Sequence, residues 1–531
     1  MRFFRFTLIV LISIMTLIPS IQVVVVEVGN GSVISNEGIK VVDENRFHGK
    51  FSDGDDFGVS TKISDIEGAF SVVATDDIGG VYVAYQSFWM DNSGEFVSIH
   101  VYFIYSLDYG ESWSENIRVN DNGSSSVQCS SPSIAIDKKT GHIFVAWKDN
   151  RTGVAKVYID KSIDRDVSFG SDVSVYDSPN DYYPPWYPYP VNIEINSKGN
   201  IYVTWIAYHS DSYTDRDIFF ASSIDGGQTF STPITINSME NEARFSHPWI
   251  AIEDENVLYI VYSKLNSTNS DVYLAKSQNG GLSFETPAKV TDVSTQRYLG
   301  GTQVTVASDG KIHIVWTDGR AGTGTQYLDI YYAISSDGGI SFGTNIRVND
   351  DIDVAPPSTH PHFTRGVQGT PSFVTDSNST VHIFWEDFRN FVNHFTYCRD
   401  IYYASRSDTQ FSDNLKVNYI HPDSDSVNCA DPNIAIDSQD NFFIVYSDAP
   451  SGDNNYHYIY FMFVPSPTTP TTTNIVPTTT ASHSKEIIPE ISTSTTTKTS
   501  KGVSSPFPSI FTLLFAVTAL MVIIRRFNKV S

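Results

Sequence analysis

The stretch "SSDGGISF", residues 335–342, decides the fold, because near-copies of it recur along the chain. Aligned copies are "SLDYGESW" at 106–113, "SIDGGQTF" at 223–230 and "SQNGGLSF" at 277–284. They share the pattern Ser-x-Asp-x-Gly-x-x-aromatic, with Asn279 replacing Asp once. A short Asp or Asn side chain bonds turn amides, and glycine adopts backbone conformations that other residues avoid. The phrase therefore predicts a structural turn whose aromatic ring packs against its own sheet.

The residues assigned to this turn occupy the Ser, Asp or Asn, Gly and aromatic positions of the four copies. In chain order they are Ser106, Asp108, Gly110, Trp113, Ser223, Asp225, Gly227, Phe230, Ser277, Asn279, Gly281, Phe284, Ser335, Asp337, Gly339 and Phe342. A further unit keeps only "SIDRDVSF" at 162–169, where Asp166 displaces the glycine.

A longer repeat surrounds the turn. Each unit contains an apolar strand that ends in an aromatic anchor, followed by a second strand such as "DIYYAIS". The anchors are 54 to 69 residues apart and are Tyr85, Trp147, Trp205, Tyr262, Trp316, Trp385 and Tyr446. Four β-rich runs in each of seven units, separated by Gly, Asp and Asn, predict seven four-stranded antiparallel sheets. Repeated sheets of this kind are typical of a β-propeller.

The two ends of the repeat predict how the ring closes. The seventh unit supplies only three strands, while "STKISD" at 60–65 is a spare strand ahead of the first unit. If that strand completes the last sheet, no edge strand is left open. We therefore predict an all-β, seven-bladed propeller over 60–464, closed by an N-terminal strand. A six-bladed ring with an extra sheet is the alternative.

The turn phrase resembles the Asp box, or BNR repeat, of the sialidase-type propellers, and the resemblance covers most of 60–464. It implies that an active site would lie on the face opposite the Asp boxes. It also implies an arginine cluster for the substrate carboxylate, a Tyr nucleophile activated by Glu, and an Asp acid/base. The family's Arg-Ile-Pro motif near the first blade does not occur in this sequence.

Three units carry Trp-x-Asp-x-Arg at the end of the second strand: Trp147-Asp149-Arg151, Trp316-Asp318-Arg320 and Trp385-Asp387-Arg389. Arginine pairs with carboxylates through two parallel hydrogen bonds. These arginines therefore form either the implied substrate-binding cluster or ion pairs within the blades. Further candidates lie on blade-to-blade connections that depart from the repeat. The catalytic candidates are Arg151, Arg320, Arg389, Asp318, Arg297, Tyr298 and Arg365.

The least repetitive segment is "DYYPPWYPYP" at 181–190, which connects the second and third units. Proline restricts the backbone, and rigid aromatic rings can stack on sugars or anchor a protein. This composition predicts a ligand-binding segment, and the alternative is a hydrophobic lid packed on the propeller. The residues expected to bind are Tyr183, Trp186, Tyr187 and Tyr189.

Oxygen-rich sequences at 119–123 and 348–353 suit a structural Ca²⁺, although neither is an EF-hand loop. No other metal and no cofactor is predicted. Of the three cysteines, Cys398 and Cys429 fall on the same face of neighbouring blades, which predicts a disulfide and leaves Cys129 free. Sequons predict N-glycosylation at Asn122, Asn150, Asn266 and Asn378.

Composition and the two ends predict the location. Asp plus Glu total 60 against 35 Lys plus Arg, a net charge of −25 that disfavours nucleic acid as a partner. The predicted segments, from the N-terminus, are a signal peptide at 1–27, an arm at 28–59, the propeller at 60–464, a Thr/Ser/Pro-rich stalk at 465–505, a membrane helix at 506–524 and a basic tail at 525–531. Because basic residues flanking a span stay cytoplasmic, the propeller is predicted to be extracellular, on a type I membrane protein.

Three functions follow from these observations. The leading hypothesis is a cell-surface propeller that binds an extracellular glycan or protein. The alternatives are an exo-sialidase-type glycoside hydrolase and a structural component of the cell envelope. An enzyme requires an asymmetric pocket with Arg, Tyr and carboxylate groups near the central axis, whereas three arginines directed into the seams between blades would argue against the implied arginine cluster.

Overall fold

The structure is a computed structural model in which the described part of the chain is built from strands. It describes residues 57, 60–87, 99–122, 128–153, 156–163, 168–176, 191–208, 216–237, 244–265, 269–295, 298–320, 328–350, 369, 371–389, 399–407, 409–418, 429–448 and 457–466, and the backbone of 32–35, 38–41, 89–90 and 96–98.

Within this part, the strands form seven four-stranded antiparallel blades. The N-terminal strands are β1 (Ser32–Ser35), β2 (Gly38–Val41) and β3 (Thr61–Lys62). Blade 1 contains β4 (Gly68–Thr75), β5 (Val81–Ser87), the small hairpin β6 (Trp89–Met90) and β7 (Phe96–Ser98), β8 (Val101–Ser106) and β9 (Ile117–Arg118). Blade 2 contains β10 (Cys129–Asp137), β11 (His142–Asp149), β12 (Lys156–Ser162) and β13 (Val173–Ser174). Blade 3 contains β14 (Asn192–Ile195), β15 (Ile201–Tyr208), β16 (Arg216–Ser223) and β17 (Ile234–Thr235).

The remaining blades follow the same order. Blade 4 contains β18 (Arg244–Ile252), β19 (Leu258–Leu265), β20 (Asp271–Ser277) and β21 (Ala288–Lys289). Blade 5 contains β22 (Leu299–Val306), β23 (Ile312–Asp318), β24 (Asp329–Ser335) and β25 (Ile346–Arg347). Blade 6 contains β26 (Ser372–Thr375), β27 (Val381–Asp387), β28 (Asp400–Arg406) and β29 (Leu415–Lys416). Blade 7 contains β30 (Ala430–Ile436), β31 (Phe442–Asp448), β32 (Tyr458–Val464) and, as its outer strand, β3.

The pairing of β3 with β32 closes the ring. Thr61 lies opposite Phe461, and the Ile63 amide donates to the Ile459 carbonyl at 2.9 Å. The N-terminal strand therefore completes the blade that the C-terminal repeat leaves one strand short. This pairing confirms the prediction of seven blades, and the six-bladed alternative is wrong.

The seven anchor residues lie in the second strand of their blades and are buried. Each anchor ring packs on an aromatic ring directly opposite it in the third strand, with centroids 5.9 to 6.4 Å apart. Cross-strand aromatic pairs stabilise sheets. The pairs are Tyr85–Tyr102, Trp147–Tyr158, Trp205–Phe219, Tyr262–Tyr273, Trp316–Tyr331, Trp385–Tyr402 and Tyr446–Tyr460.

The hydrophobic core of the described residues is divided into seven clusters, each shared by two adjacent blades. The cluster between blades 7 and 1 joins Phe443 and Val445 to Val81 and Val83. Because every blade buries both of its faces against neighbours, the ring can be stable only when it is closed. Phe57, within the predicted arm, is also buried in the cluster between blades 6 and 7.

The Asp-box phrase forms the turn between the third and fourth strands. In "SSDGGISF", Ser335 Oγ donates to Asp337 Oδ1 at 2.7 Å and accepts from the Gly339 amide at 3.0 Å. Asp337 Oδ1 also accepts from the Ser341 amide at 3.0 Å. Gly339 has φ +85°, in the left-handed region that favours glycine. The phrase is therefore a self-bonded turn, as its composition predicts.

The expectation that the aromatic ring of this turn packs against its own sheet is wrong for two of the turns, where the ring contacts the preceding blade. Phe284 of blade 4 makes an edge contact of 5.2 Å with Phe220 of blade 3, and Trp113 of blade 1 contacts Phe461 of blade 7 at 4.9 Å. The turn stands above the seam, where the preceding blade offers the nearest apolar surface. Each Asp box with this contact thus joins two neighbouring blades.

The first strands of the blades surround a central tunnel and turn their free edges toward it. Five polar side chains on these strands each accept a hydrogen bond from a backbone amide on the first strand of the next blade, at 2.7 to 3.3 Å. We call these five contacts the belt. The acceptors are Ser133, Asn192, Gln303, Ser372 and Asn433. This belt satisfies edge groups that would otherwise be unpaired.

Contacts divide the chain into Met1–Thr468 and Thr469–Ser531, and all the strands above belong to the first unit. The predicted signal peptide, stalk and membrane span lie outside the described residues. In the part of the chain that is described, no helix has the length and hydrophobicity to cross a membrane.

Candidate functional site

The face opposite the Asp boxes has a tunnel opening that we call the mouth, where first strands begin and second strands end. Five blades carry a β-bulge in the first strand close to this opening. Each bulge contains a residue with φ between +52° and +58°: Phe70, Ser131, His247, Gly301 and Asp431. Four of these are not glycine, and such backbone strain is often concentrated at functional sites.

Two of the bulges are held by the residue that follows the anchor aromatic of the preceding blade. The Ser131 amide donates to Gln86 Oε1 at 3.2 Å, and the Asp431 amide donates to Glu386 Oε1 at 2.7 Å. In each pair the acceptor belongs to the blade before the bulge. The second strand of one blade therefore fixes the first strand of the next at the mouth.

Three nitrogen-bearing side chains from consecutive blades form a cationic set at the mouth: Lys148 of blade 2, Arg216 of blade 3 and His247 of blade 4. Lys148 and Arg216 are buried. Burial, together with the nearby Arg216 guanidinium, lowers the pKa of Lys148 to about 7. Burial, together with Arg216 and Lys148, lowers the pKa of His247 to about 4. At neutral pH the lysine is therefore close to its midpoint and the histidine is neutral.

An acidic set from blades 6 and 7 also lies at the mouth. Glu386 is buried and accepts from Arg399 Nη1 at 3.3 Å as well as from the Asp431 amide. Burial and the Glu386 carboxylate raise the pKa of Asp431, while Arg399 and the Phe70 amide oppose that shift. Asp431 is therefore a carboxyl group that holds its proton at a higher pH than an exposed aspartate.

Tyr298 lies beside the cationic set. Its ring is 6.5 Å from the His247 ring in an edge arrangement and remains 47% exposed. Gly300 lies beneath this ring, since a Cβ there would stand 2.3 Å from the Tyr298 hydroxyl. Of the irregular connections singled out in the sequence, this one supplies an exposed aromatic ring next to His247.

The Trp-x-Asp-x-Arg residues have a different environment. Asp149, Asp318 and Asp387 are fully buried, and each accepts from the indole of its motif and from the arginine Nε. The guanidinium groups of Arg151, Arg320 and Arg389 lie 4.1 to 4.4 Å above the paired tyrosine of the third strand. Each arginine is therefore packed within its own blade.

These arginines also bond across the seams. Arg320 Nη1 donates to Asp292 of blade 4 at 2.7 Å, and Arg389 Nη1 donates to Asp350 of blade 5 at 2.8 Å. Arg151 pairs with Asp172, which exchanges amide bonds with Asp121 of blade 1. The three arginines thus lie in three different seams and are not brought together. Their contacts correspond to the ion-pair alternative.

Other predicted ligand residues lie outside the described residues. They are Arg297, Arg365, Tyr183, Trp186, Tyr187 and Tyr189. Among the sequons, Asn266 is also outside, Asn378 is exposed, and Asn122 and Asn150 are partly buried. The Asn150 side chain accepts the Gln128 amide at 2.8 Å, so its carbonyl oxygen holds the loop.

The predicted Cys398–Cys429 disulfide is wrong. Cys429 is a free and fully buried thiol, and Asn418 Nδ2 donates to its sulfur at 3.1 Å. Cys129 is also free and buried, as predicted, and contacts Asp149. Cys398 lies outside the described residues. The shared face of the two cysteines was not a sufficient indication of a bridge, because the Cys429 side chain packs in the core cluster between blades 6 and 7.

No group of three acidic, histidine or cysteine side chains among the described residues could hold a metal ion. Asp121, within the predicted calcium sequence at 119–123, instead bonds with Asp172. Asp350, within 348–353, pairs with Arg389 and Asn414. The rest of 348–353, from residue 351 onward, lies outside the described residues.

The mouth residues Lys148, Arg216, Glu386, Arg399 and Asp431 were not predicted from the sequence. For Lys148 and Glu386, the available signal was the variable residue that follows the anchor aromatic. Across the seven units this position is Gln86, Lys148, Ile206, Ser263, Thr317, Glu386 and Ser447. The Trp, Asp and Arg of the motif recur from blade to blade and form the frame, whereas the residues of the mouth differ between blades.

Residues 231–415 match the model of a BNR repeat-containing family member. The match runs from just before β17 of blade 3 to the first residue of β29 in blade 6. It includes two of the Asp boxes, at 277–284 and 335–342, and agrees with the resemblance seen in the sequence. A search of curated proteins found no match.

Several solved structures are similar in fold. A Hadza microbial sialidase is 14% identical with TM-score 0.41, and the match covers 60% of this chain and 63% of that one. The α-L-arabinanase of Penicillium chrysogenum is 13% identical, with 64% and 93% covered and TM-score 0.43. An ulvan lyase is 12% identical, with 77% and 95% covered and TM-score 0.46. The propeller assignment itself rests on the strands and on the family match.

Proposed function

We propose that this sialidase-like BNR propeller is a cell-surface protein that binds an anionic glycan at its mouth. The observation that carries the proposal is the convergence of Lys148, Arg216 and His247 from three consecutive blades. Each stands where most other blades have a neutral or acidic residue. These three residues are therefore not part of the repeated framework of the blades.

The chemistry of the set favours a carboxylate or sulfate. Arg216 offers planar, paired donors that match such groups. Because Lys148 and Arg216 are buried, an ion pair that either of them forms is stronger than one in open water. The protein carries a net charge of −25, so a local cationic site is the feature that would draw an acidic sugar rather than repel it.

The surroundings of the set favour a sugar over a simple anion. The exposed Tyr298 ring beside His247 provides a stacking surface. The predicted aromatic segment 181–190 connects blades 2 and 3, which contribute Lys148 and Arg216. The predicted membrane span and stalk would hold this propeller outside the cell, where acidic polysaccharides occur.

Direct binding to matched oligosaccharides tests the proposal. The full chain should bind an acidic oligosaccharide, such as an oligouronate or a sialoside, in preference to its neutral counterpart. Arg216→Gln should weaken that binding by at least about tenfold, the effect of losing roughly 1.4 kcal/mol. Lys138→Gln is the matched control, because Lys138 is exposed and bonds Asp77 away from the mouth. Equal binding of acidic and neutral sugars would contradict the proposal.

A second candidate function is glycoside hydrolysis, and the acidic set favours it. Asp431 retains its proton beside the Glu386 carboxylate, and two such carboxyl groups are the usual requirement for this reaction. The matching experiment is turnover of a panel of aryl glycosides, including a sialoside. Hydrolysis that is lost in Asp431→Asn while acidic-sugar binding persists would support the enzyme, whereas no turnover by the wild-type chain would reject it.

A further inference from the structure

The central tunnel contains a cavity of about 490 Å³ that is distinct from the charged sets at the mouth. Residues from the first strands of all seven blades line it, and it extends toward Glu253 and Asp254 in the first turn of blade 4. Its volume lies within the range of small-molecule sites, roughly 300 to 1,000 Å³. The cavity is therefore large enough for an organic ligand.

One residue breaks the symmetry of the cavity wall. The amides that donate in the belt contacts give equivalent positions on the first strands of the blades. At the residue that follows this amide position, four blades have alanine: Ala74, Ala135, Ala251 and Ala435. Blades 5 and 6 have Thr305 and Val374, and blade 3 has Glu194. A carboxylate has thus been introduced where the repeat otherwise keeps a small or uncharged side chain.

The Glu194 carboxylate has little internal compensation. Burial raises its pKa to about 7, and the opposing contribution is a hydrogen bond from the Ile195 amide. No lysine, arginine or histidine of the described residues forms an ion pair with it. The cost of keeping such a group charged is high unless a positive partner is supplied.

Several other polar groups of the wall make hydrogen bonds within the propeller. The belt side chains accept backbone amides of the neighbouring blade. Glu253 accepts the Tyr259 hydroxyl at 2.7 Å, and Asp254 accepts the amides of Asn256 and Val257. Glu194, by contrast, is the carboxylate on the first-strand part of the wall, and the hydrogen bond that opposes its pKa shift comes from the adjacent Ile195 amide.

Trp249 supplies a second recognition group. It occupies the belt position of blade 4, where five other blades have a serine, asparagine or glutamine, and it lines the same cavity. Its ring is partly buried against the cluster between blades 4 and 5. A carboxylate together with an indole ring is the combination that favours an organic cation, through an ion pair and a cation–π contact.

We infer that the axial cavity is a binding site for a small organic cation, a primary alkylammonium, with Glu194 as counter-ion and Trp249 as the aromatic contact. A metal ion fits less well. Ca²⁺ takes six to eight oxygen ligands, and the described residues contain no cluster of acidic, histidine or cysteine side chains suited to a metal. This site is separate from the proposed glycan site, so either can fail without the other.

Calorimetric titration of the full chain with 1,4-diaminobutane at pH 8, with 1-butanol as the uncharged probe, tests the inference. We expect saturable binding of the diamine alone. Glu194→Gln should weaken it at least about tenfold, and Trp249→Leu should weaken it by a smaller factor. Glu255→Gln is the control, since Glu255 is exposed and pairs with Lys198. Thermal unfolding without ligand would establish that each variant is folded.

The pH dependence provides a second readout. Because the proton on Glu194 competes with the ligand, affinity should rise between pH 6 and pH 8 in the wild-type chain and stay flat in Glu194→Gln. The inference is overturned if the diamine does not bind up to about 10 mM, if 1-butanol binds equally, or if Glu194→Gln binds like the wild type. Binding of Ca²⁺ in place of the diamine would also overturn it.

Discussion

At the scale of single residues, the Asp box is a device for joining blades. Its serine and aspartate close the turn on itself, and its glycine lets the turn approach the preceding blade. A Cβ on Gly281 would stand 2.4 Å from the Phe220 ring. The sequence predicted the turn from its residues, but the joining function needed the neighbouring blade, which no single repeat contains.

Gly281→Ala should therefore destabilise the propeller more than a glycine change with the same backbone strain. Gly153 has a similar φ, +81° against +84°, and a Cβ added to it would have no neighbouring atom within 4 Å. We expect Gly281→Ala to lower the free energy of unfolding by about 1–3 kcal/mol more than Gly153→Ala, as overpacking does. Chemical denaturation of both variants measures this difference, and equal losses would show that the contact with Phe220 is unimportant.

The Asp-box aspartates also predict a dependence on acid. Hydrogen bonds from the Thr229 hydroxyl and amide and from Ser223 hold the pKa of Asp225 at about 2, below its ordinary 3.8. Its contribution to stability is therefore complete above pH 4 and is lost as the pH falls toward 2. Asn279 shows that an amide can occupy this position. Between pH 4 and pH 2, Tm should fall more steeply for the wild type than for Asp225→Asn, and parallel curves would exclude this role.

At the scale of elements, strand closure and the first-strand bulges differ in how visible they are in the sequence. The closing strand could be predicted because one unit was a strand short and a spare strand preceded the repeat. The bulges could not, because they shift the register without any shared residue: Phe70, Ser131, His247, Gly301 and Asp431 have nothing chemical in common. At Ser131 and Asp431, the bulge is bonded by a side chain of the previous blade, which no single repeat contains.

The closing strand predicts a specific loss of stability. Ile63 follows β3 and is buried between blades 7 and 1, whereas Thr61 is exposed on the same strand. Ile63→Ala should lower the free energy of unfolding by about 2–5 kcal/mol, and Thr61→Ala should change it by less than about 0.5 kcal/mol. Similar effects of the two substitutions, measured by chemical denaturation, would mean that β3 does not close the ring.

At the scale of the whole molecule, the repeat builds the frame and departures from the repeat build the sites. The Trp-x-Asp-x-Arg motifs resembled a substrate-binding cluster, yet their arginines bond Asp292, Asp350 and Asp172 in separate seams. The fold could be predicted because it depends on residues that recur. The mouth could not, since it depends on which blades become neighbours and on single exchanges such as Lys148 and Glu386.

The charge of the mouth also predicts how binding changes with pH. Lys148 has a pKa lowered to about 7, so it loses its proton as the pH rises through neutrality. The affinity for an acidic glycan should therefore decrease between pH 6 and pH 8, and Lys148→Gln should remove most of that decrease. Titrations at the two pH values measure both effects, and an unchanged slope in the variant would exclude Lys148 as the titrating group.

The most direct test of the central claim is a crystal structure of the chain with an acidic oligosaccharide. We predict a sugar at the mouth with its carboxylate or sulfate oxygen about 2.7–3.2 Å from a nitrogen of Arg216 or Lys148, and a ring against Tyr298. A sugar bound at the Asp-box face, or bound at the mouth with its acidic group directed away from both cations, would contradict it.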